Sequence, residues 1–183
     1  FDNFEKIYVS FSGGKDSSVM LHLVMQEAIK RGVKIGVLII DLEAQYRATE
    51  EHLLEMVDLY RENIDLHWVC LPMSLRNALT NYEPKWECWD PDKKDIWVRQ
   101  PYKFAVTELD FYPFFERGME FEEFVVLFGA WYGRGRPCAG FVGIRADESL
   151  NRFRTVAIFD KKMHGGHRWT THIVDDVYNV YPI

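Results

Sequence analysis

The residues best suited to chemistry lie in a short polar segment near the start of the chain, Ser12-Gly13-Gly14-Lys15-Asp16-Ser17, here called the 12–17 loop. An apolar run precedes it and a helical pattern follows it, which predicts a strand, a loop and a helix. Glycines let the backbone approach a ligand, and the N–H groups and dipole of a helix N-terminus attract negative charge. The segment therefore predicts a phosphate site. Its predicted contact residues are Ser10, Ser12, Gly13, Gly14, Lys15, Asp16 and Ser17.

The 12–17 loop differs from a Walker A loop, in which Ser or Thr follows the lysine. Here Asp16 follows Lys15, and its carboxylate would repel phosphates unless a cation lay between them. Proteins commonly hold Mg²⁺ with one or two carboxylates and the phosphates of a substrate, so we predict that Asp16 binds Mg²⁺. The alternative is a tight turn between a strand and a helix, with Asp16 or Ser17 as the helix N-cap.

A second group of polar residues, Arg145, Glu148 and Arg152, follows a predicted strand at 139–144. Ligands of open α/β sheets bind beyond the carboxyl ends of the strands, so this group is expected to meet the 12–17 loop. Arg145 and Arg152 offer guanidinium groups for phosphate or sulfate oxygens, and Glu148 is expected to orient one of them. The alternative is a structural pair of arginine and glutamate.

Asp41 follows an apolar run at 37–40 and reaches the same predicted edge of the sheet. Its carboxylate could hydrogen-bond a ribose or adenine group, or help Asp16 to hold a cation. The alternative role is to cap a helix or a turn.

The motifs resemble those of a known superfamily. The 12–17 loop looks like the signature of the PP-loop ATP pyrophosphatases, which include tRNA thiolation enzymes, the small subunit of ATP sulfurylase and phosphoadenosine phosphosulfate (PAPS) reductases. Residues 142–152, Val-Gly-Ile-Arg-Ala-Asp-Glu-Ser-Leu-Asn-Arg, are similar to a segment of the reductase and sulfurylase branch. Residues 41–46 and Trp131-Tyr132 resemble a PAPS-reductase-like sub-branch described as a prophage gene-expression co-activator.

This resemblance implies an adenine nucleotide alpha hydrolase-like fold that binds ATP or PAPS as a substrate. It implies catalytic roles for Lys15, Asp16 and Arg145, and it adds Gly143 to the nucleotide-binding residues. Reductases of the family use a cysteine in a C-terminal Glu-Cys-Gly segment, and some carry paired cysteines for an iron–sulfur cluster. Neither pattern occurs in these 183 residues.

The order of the predicted elements indicates one α/β domain over residues 1–183. Strands are expected at 6–11, 37–40, 66–71, 139–144 and 179–183, and helices at 17–30, 49–62 and 120–132. Alternating strands and helices predict a doubly wound, mainly parallel five-stranded sheet with helices on both faces, a Rossmann-like fold. Because the chain starts at Phe1 and stops after a predicted strand, we expect its native termini to lie outside this sequence.

A stretch rich in aromatic residues at about 81–115, here called the aromatic insertion, interrupts this alternation. A long ordered loop of this kind is usually functional, so it is expected to form a wall or lid of the site. Trp86, Trp89 and Arg99 are the candidates for touching a substrate. The insertion could equally be packed on the surface without a ligand contact, or could bind a partner protein.

The composition limits the function. A net charge of −6 makes nucleic acid an improbable partner, and no apolar stretch is long enough to span a membrane. The three cysteines are widely spaced and odd in number, which indicates a reducing, cytoplasmic location. Of these, Cys88 is the candidate for reactivity. Two histidines, at 164 and 167, are expected to be incidental rather than ligands of a metal.

Three functions stay open at this stage. The favoured one is cleavage of ATP between its α and β phosphates, with transfer of the adenylyl group to an acceptor. The second is reduction of PAPS or APS (adenosine phosphosulfate) by a thiol. The third is a nucleotide-sensing co-activator without turnover, for which the aromatic insertion would bind a partner. The acceptor and the oligomeric state are not determined by these residues.

Overall fold

A central sheet organises the fold. The computed structural model describes residues 1–77, 82, 84–145, 147, 149–157 and 161–181, and in these ranges it shows eight strands and four α-helices. The strands are β1 Lys6–Ser10, β2 Ile35–Ile40, β3 Ile64–Val69, β4 Ser74–Arg76, β5 Lys85–Glu87, β6 Cys138–Val142, β7 Thr170–Val174 and β8 Val177–Val180. The helices are α1 Lys15–Arg31, α2 Arg47–Tyr60, α3 Phe121–Gly133 and α4 Leu150–Ala157, with short 3-10 helices at Pro91–Ile96 and His164–Gly166.

The sheet is mainly parallel, as predicted. Over the described residues its strand order is β3-β2-β1-β6-β8-β7, and only the β7–β8 pair is antiparallel. Strand β2 reads Ile-Gly-Val-Leu-Ile-Ile and is buried along nearly its whole length, as expected for a strand covered on both faces. The predicted α/β class with a Rossmann-like parallel sheet is therefore confirmed.

The sheet has one strand more than the predicted five. The additional strand is β7, which forms an antiparallel hairpin with β8 at the edge of the sheet. Its sequence, Thr-Thr-His-Ile-Val, is too polar to show as an apolar run, so its pairing is not visible from periodicity. Helix α4 was also not predicted, and the strand expected at 179–183 is observed at Val177–Val180.

The strand order reverses beside β1. The chain passes from β1 to β2 and β3 on one side, and then crosses back to β6 on the other side. Right-handed crossovers place α1 and α2 on one face and α3 on the opposite face. Tyr8 of β1 accordingly packs edge-on against Phe128 and Tyr132 of α3, with ring centroids 5.2 and 5.9 Å apart. His22 of α1 is hydrogen-bonded to the hydroxyl of Tyr60 of α2 over 2.5 Å.

Helix α1 shows how the local sequence sets an element's limits. Met20, Val24 and Ala28 form its buried stripe, and Gly32 ends it with a positive φ of 66° that favours glycine. Among the helices that the structure describes, none combines the length and the apolar character needed to cross a membrane.

The described part of the aromatic insertion is packed into the fold. Tyr112 is buried, with its ring 5.2 Å from that of Phe124 and 5.0 Å from that of Trp131 on α3. The N–H of Cys70 donates to the carbonyl of Val106 over 3.0 Å, which extends the edge of the sheet beyond β3. The insertion therefore covers a sheet edge that would otherwise be open to pairing.

Candidate functional site

The two polar segments predicted to form a site begin side by side. Strand β1 ends at Ser10 and β6 ends at Val142, and these two residues are partners in the sheet register. The strand order reverses between the same two strands. Ligands of open α/β sheets bind at such a point, beyond the carboxyl ends of the strands. The sheet thus brings the 12–17 loop together with Gly143 and Arg145.

Gly143 lies against the first turn of α1. A Cβ atom placed on Gly143 would lie 2.8 Å from the backbone nitrogen of Ser17 and 3.1 Å from the carbonyl carbon of Asp16. These distances are too short for any side chain, and the neighbouring atoms are backbone atoms that cannot rotate away. Glycine at 143 therefore lets the segment after β6 contact the helix that carries the 12–17 loop.

The N-terminus of α1 is not capped by a side chain. Its N-cap is Gly14, so neither Asp16 nor Ser17 is the N-cap that the alternative interpretation expected. Gly13 adopts a positive φ of 76°, which turns the chain from β1 into the helix. The hydroxyl of Ser17 donates to the carbonyl of Gly14 over 2.9 Å, and the hydroxyls of Ser12 and Ser17 are 3.1 Å apart.

Opposite charges meet at this helix end. The ammonium of Lys15 donates to both carboxylate oxygens of Asp16, over 3.1 and 2.9 Å. The Nη1 atom of Arg145 lies 3.6 Å from the same carboxylate, and its Nε donates to Asp147 over 3.0 Å. The Lys15 side chain is 75% exposed. A mobile ammonium and a guanidinium therefore flank one carboxylate at a helix N-terminus, an arrangement suited to an anionic ligand.

A metal ion at the N-terminus of α1 would need most of its ligand atoms from a bound phosphate and water. In the described parts of the chain, no group of three or more His, Cys, Asp or Glu side chains is arranged to hold a metal ion. Asp16 could supply one oxygen ligand, and the remaining ligands would be phosphate oxygens and water, which is how Mg²⁺ is usually held beside nucleotides. The donor set therefore fits a metal that arrives with a phosphate ligand.

For Arg152 and Glu148, the other two residues of the second polar group, no contact with the 12–17 loop is described. Arg152 lies on α4 with an exposed side chain, and its backbone N–H donates to the hydroxyl of Ser149 at the start of that helix. Glu148 lies outside the described residues. The predicted ligand contacts of Arg152 and Glu148 stay predictions.

Asp41 is buried at the carboxyl end of β2. One carboxylate oxygen accepts the N–H of Glu43 over 3.0 Å, as in a capped turn. The other accepts the indole N–H of Trp68 over 2.7 Å and a guanidinium N–H of Arg99 over 2.5 Å. These contacts match the predicted capping role. A ligand contact of Asp41 stays a prediction.

The three residues predicted to touch a substrate, Trp86, Trp89 and Arg99, differ in how far they are buried. Trp89 is buried, and its indole N–H donates to the carbonyl of Asp41. Arg99 is largely buried and paired with Asp41 and Glu50, while its Nη1 atom is buried without a hydrogen-bond partner among the described residues. Trp86 is 39% exposed. It borders two cavities of about 380 and 420 Å³, a size typical of small-molecule sites.

The cysteines are unsuited to nucleophilic attack. All three are buried free thiols. Burial raises the pKa of Cys88 and of Cys138 to about 12, and burial together with the nearby Asp41 carboxylate also raises the pKa of Cys70. A thiol must lose its proton to act as a nucleophile, so these three groups are inert near neutral pH. The reactivity considered for Cys88 is therefore not supported.

The two histidines at 164 and 167 pack against separate aromatic rings. The ring of His164 lies 4.5 Å from that of Phe4 and 5.0 Å from that of Tyr178. His167 is stacked on Trp169, with the ring centroids 4.9 Å apart.

Two further residues, Glu43 and His52, support the elements that carry the site, and their roles were not predicted from the sequence. Glu43 adopts a positive φ of 69°, and its carboxylate accepts the backbone N–H groups of Trp89 and Val98. His52 of α2 is hydrogen-bonded to the hydroxyl of Ser18 on α1 over 2.7 Å. No local pattern reveals these roles, because each depends on a partner more than thirty residues away in the sequence.

Comparison with known proteins identifies the family of the chain. The family model described as "Phosphoadenosine phosphosulfate reductase domain" matches residues 6–116, which is more than half of the chain and includes the 12–17 loop. The chain belongs to this PAPS reductase family. A protein of Escherichia coli (strain K12), named "Uncharacterized protein YbdN", is 43% identical to the chain. That alignment covers 93% of this chain and 45% of the relative, so the chain spans about half of the relative's length.

The match confirms the predicted PAPS reductase-like family, while the PP-loop ATP pyrophosphatase signature of the 12–17 loop stays a prediction. It makes the chain a member of a nucleotide-binding family, with the 12–17 loop inside the matched range. Gly143, Arg145 and Arg152 lie beyond that range, so their assignment depends on the structure. The co-activator sub-branch suggested by residues 41–46 stays a prediction.

Proposed function

We propose that the crevice between the ends of β1 and β6 binds the phosphates of an adenine nucleotide, and that bound ATP is cleaved between its α and β phosphates. The observation that carries this proposal is the contact of Gly143 with the first turn of α1. This contact joins the 12–17 loop and Arg145 into one site with a helix N-terminus and two cationic side chains. Such a site stabilises negative charge on phosphate oxygens.

The reaction uses positioning and charge rather than a covalent intermediate with the protein. An acceptor nucleophile attacks the α-phosphorus of ATP, the bond to the bridging oxygen breaks, and pyrophosphate leaves with the electron pair. Lys15, Arg145 and the amides at the start of α1 stabilise the charge that grows on the leaving group. Once Lys15 and Arg145 bind phosphate oxygens, the Asp16 carboxylate that they now contact could hold Mg²⁺, which would neutralise phosphate charge.

The activity in the family's name, reduction of PAPS, is the second candidate. The same helix end and Arg145 would bind its phosphate and sulfate groups equally well. Attack on sulfur needs a thiolate, and the three thiols of this chain are buried and protonated. The reductant would therefore have to come from outside these 183 residues. Because the thiols are free, we place the protein in a reducing compartment, the cytoplasm.

The test is product analysis with the purified protein. Incubation with ATP and Mg²⁺ is expected to give pyrophosphate and AMP or an adenylylated acceptor. PAPS with dithiothreitol is expected to give no sulfite. Sulfite from PAPS would support the reductase, and tight nucleotide binding without turnover would support the co-activator. Absence of both binding and turnover would refute the proposed nucleotide site.

Matched variants test the roles proposed for Lys15 and Asp16. Lys15→Met and Asp16→Asn are expected to lower ATP turnover by at least about a hundredfold, as loss of a group that stabilises transition-state charge does. The Lys15 side chain is 75% exposed, and asparagine keeps the size of the partly buried Asp16 side chain, so the thermal unfolding temperature should change little. Lys30→Met is the control, because Lys30 lies at the other end of α1 and is weakly paired with Glu27 over 3.7 Å. Unchanged turnover in Lys15→Met would contradict the assigned role.

A further inference from the structure

A cluster of buried charges joins the aromatic insertion to α2. The guanidinium of Arg99 contacts the carboxylate of Asp41 over 2.5 Å and that of Glu50 over 2.8 Å. It lies between the rings of Trp89 and Tyr102, at 5.1 and 5.3 Å from their centroids. Glu50 and Arg99 are each less than one-fifth exposed, so their attraction is weakly screened by water.

Glu50 is held from two sides. Besides Arg99, the hydroxyl of Tyr102 donates to its carboxylate. Burial and the neighbouring Glu50 carboxylate raise the pKa of Tyr102 to about 12, so this hydroxyl keeps its proton at neutral pH. Arg99 and Tyr102 of the insertion thus both bind the carboxylate of Glu50 in the first turn of α2.

The same turn of α2 supports the 12–17 loop. A Cβ atom on Gly13 would lie 2.9 Å from the Thr49 side chain and 3.2 Å from that of Leu53, so both press directly on the loop backbone. His52 adds a hydrogen bond to Ser18 of α1 and an edge-on contact with the ring of Phe11. Residues 49 and 53 therefore pack against the loop, residue 52 contacts the residues on either side of it, and residue 50 contacts the insertion.

The N-terminus of α2 has no side-chain cap, and its N-cap residue is Tyr46. Helix ends without caps fray, because their first N–H groups have no partner within the helix. The contacts of Glu50 with Arg99 and Tyr102, together with the hydrogen bond between His52 and Ser18, are partly buried polar contacts that hold the turn in place.

We propose that Arg99 and Glu50 are positioning residues, through which the aromatic insertion holds the first turn of α2 against the 12–17 loop and thereby keeps the loop in shape to bind phosphate. This inference rests on the proposed nucleotide site for its effect on binding. It gives the insertion a role that needs no direct contact with the substrate. The first turn of α2 then supports the 12–17 loop through noncovalent contacts alone.

The test compares two neighbouring glutamates. Glu50→Ala removes the partly buried contacts with the insertion, whereas Glu51→Ala removes an equal charge from the same turn but breaks only the exposed pair with Arg47. Hydrogen exchange of the amides at 13–18 is measured without nucleotide, and the ATP dissociation constant is measured by calorimetry with Mg²⁺. Glu50→Ala should speed exchange in the loop and raise the dissociation constant about 3- to 30-fold, the range for coupling through packed networks. Glu51→Ala should leave both within about twofold of the wild type.

The outcomes separate the inference from the proposed function. Loop exchange in Glu50→Ala equal to that in Glu51→Ala would overturn the positioning role. A wild type that binds no ATP would overturn the nucleotide site, while loop exchange would still decide the positioning role. If Glu50→Ala does not fold, Glu50→Gln takes its place. An amide can still accept a hydrogen bond, so faster loop exchange than in Glu51→Gln is then expected, with a smaller effect than that of full removal.

Discussion

Replacement of Gly143 by alanine tests whether the two segments of the site depend on close contact. The added Cβ would meet the Ser17 nitrogen at 2.8 Å, the Ser17 Cα at 2.9 Å and the Asp16 carbonyl carbon at 3.1 Å. All three atoms belong to the backbone of α1, so no side chain can rotate to make room. Either the segment after β6 or the start of α1 has to move.

The size of the effect follows from these distances. Favourable contact between heavy atoms lies near 3.5 Å, so the 2.8 Å approach requires a displacement of about 0.7 Å. Overpacking of this kind costs about 1–3 kcal/mol. For a domain of this size each kcal/mol corresponds to about 2–4 °C, so the melting temperature should fall by roughly 2–12 °C. A shift approaching 1 Å between binding groups should weaken ATP binding by roughly tenfold or more.

The assay pairs calorimetric ATP binding with thermal unfolding, and Gly135→Ala is the control. Gly135 has a φ of 71°, and a Cβ there would meet no atom within 4 Å. Alanine at that position costs about 1–2 kcal/mol through its left-handed backbone, without touching the site. Gly135→Ala should therefore melt earlier and bind ATP normally. If Gly143→Ala binds ATP as well as Gly135→Ala does, contact between the two segments does not shape the site.

Three further predictions concern Glu43 and the buried thiols. Glu43→Gln replaces one of the two carboxylate oxygens that accept the N–H groups of Trp89 and Val98, so the free energy of unfolding in urea should fall by about 1–3 kcal/mol; a loss below about 0.5 kcal/mol would contradict this. Iodoacetamide at pH 8 should label no cysteine until the protein is unfolded. Because burial raises the pKa of Cys88 and Cys138 to about 12, the folded state holds protons that the unfolded state loses above about pH 9. Stability should then fall with rising pH, by roughly 1.4 kcal/mol per unit for each thiol, and a flat profile from pH 8 to 10.5 would contradict the burial.

The elements with strong local signals were predictable. The buried run of β2, the stripe of α1 and the strand–loop–helix unit around residues 12–17 each appear in the structure near their expected limits. Local periodicity and glycine placement specify such elements because their stability comes from neighbours in the sequence. Strand β7 had no such signal, since its partner is supplied by the hairpin and its sequence is half polar.

The roles of the polar residues were less predictable. Arg99 was expected at a substrate wall, and the structure pairs it with the buried carboxylate of Asp41 and the partly buried carboxylate of Glu50. A residue type at one position does not reveal its partner, because a guanidinium binds a phosphate and a protein carboxylate with the same geometry. Which of the two it meets is decided by segments more than forty residues apart in the sequence.

For this protein the sequence alone determined the family, the parallel α/β sheet and the strand–loop–helix unit around residues 12–17. The tertiary structure decided that Gly143 contacts Ser17, that Glu50 is tied to Arg99, and that all three thiols are buried. The physical reason is that strands and helices follow from short-range patterns, whereas charge pairing and burial depend on which distant segments the sheet order brings together.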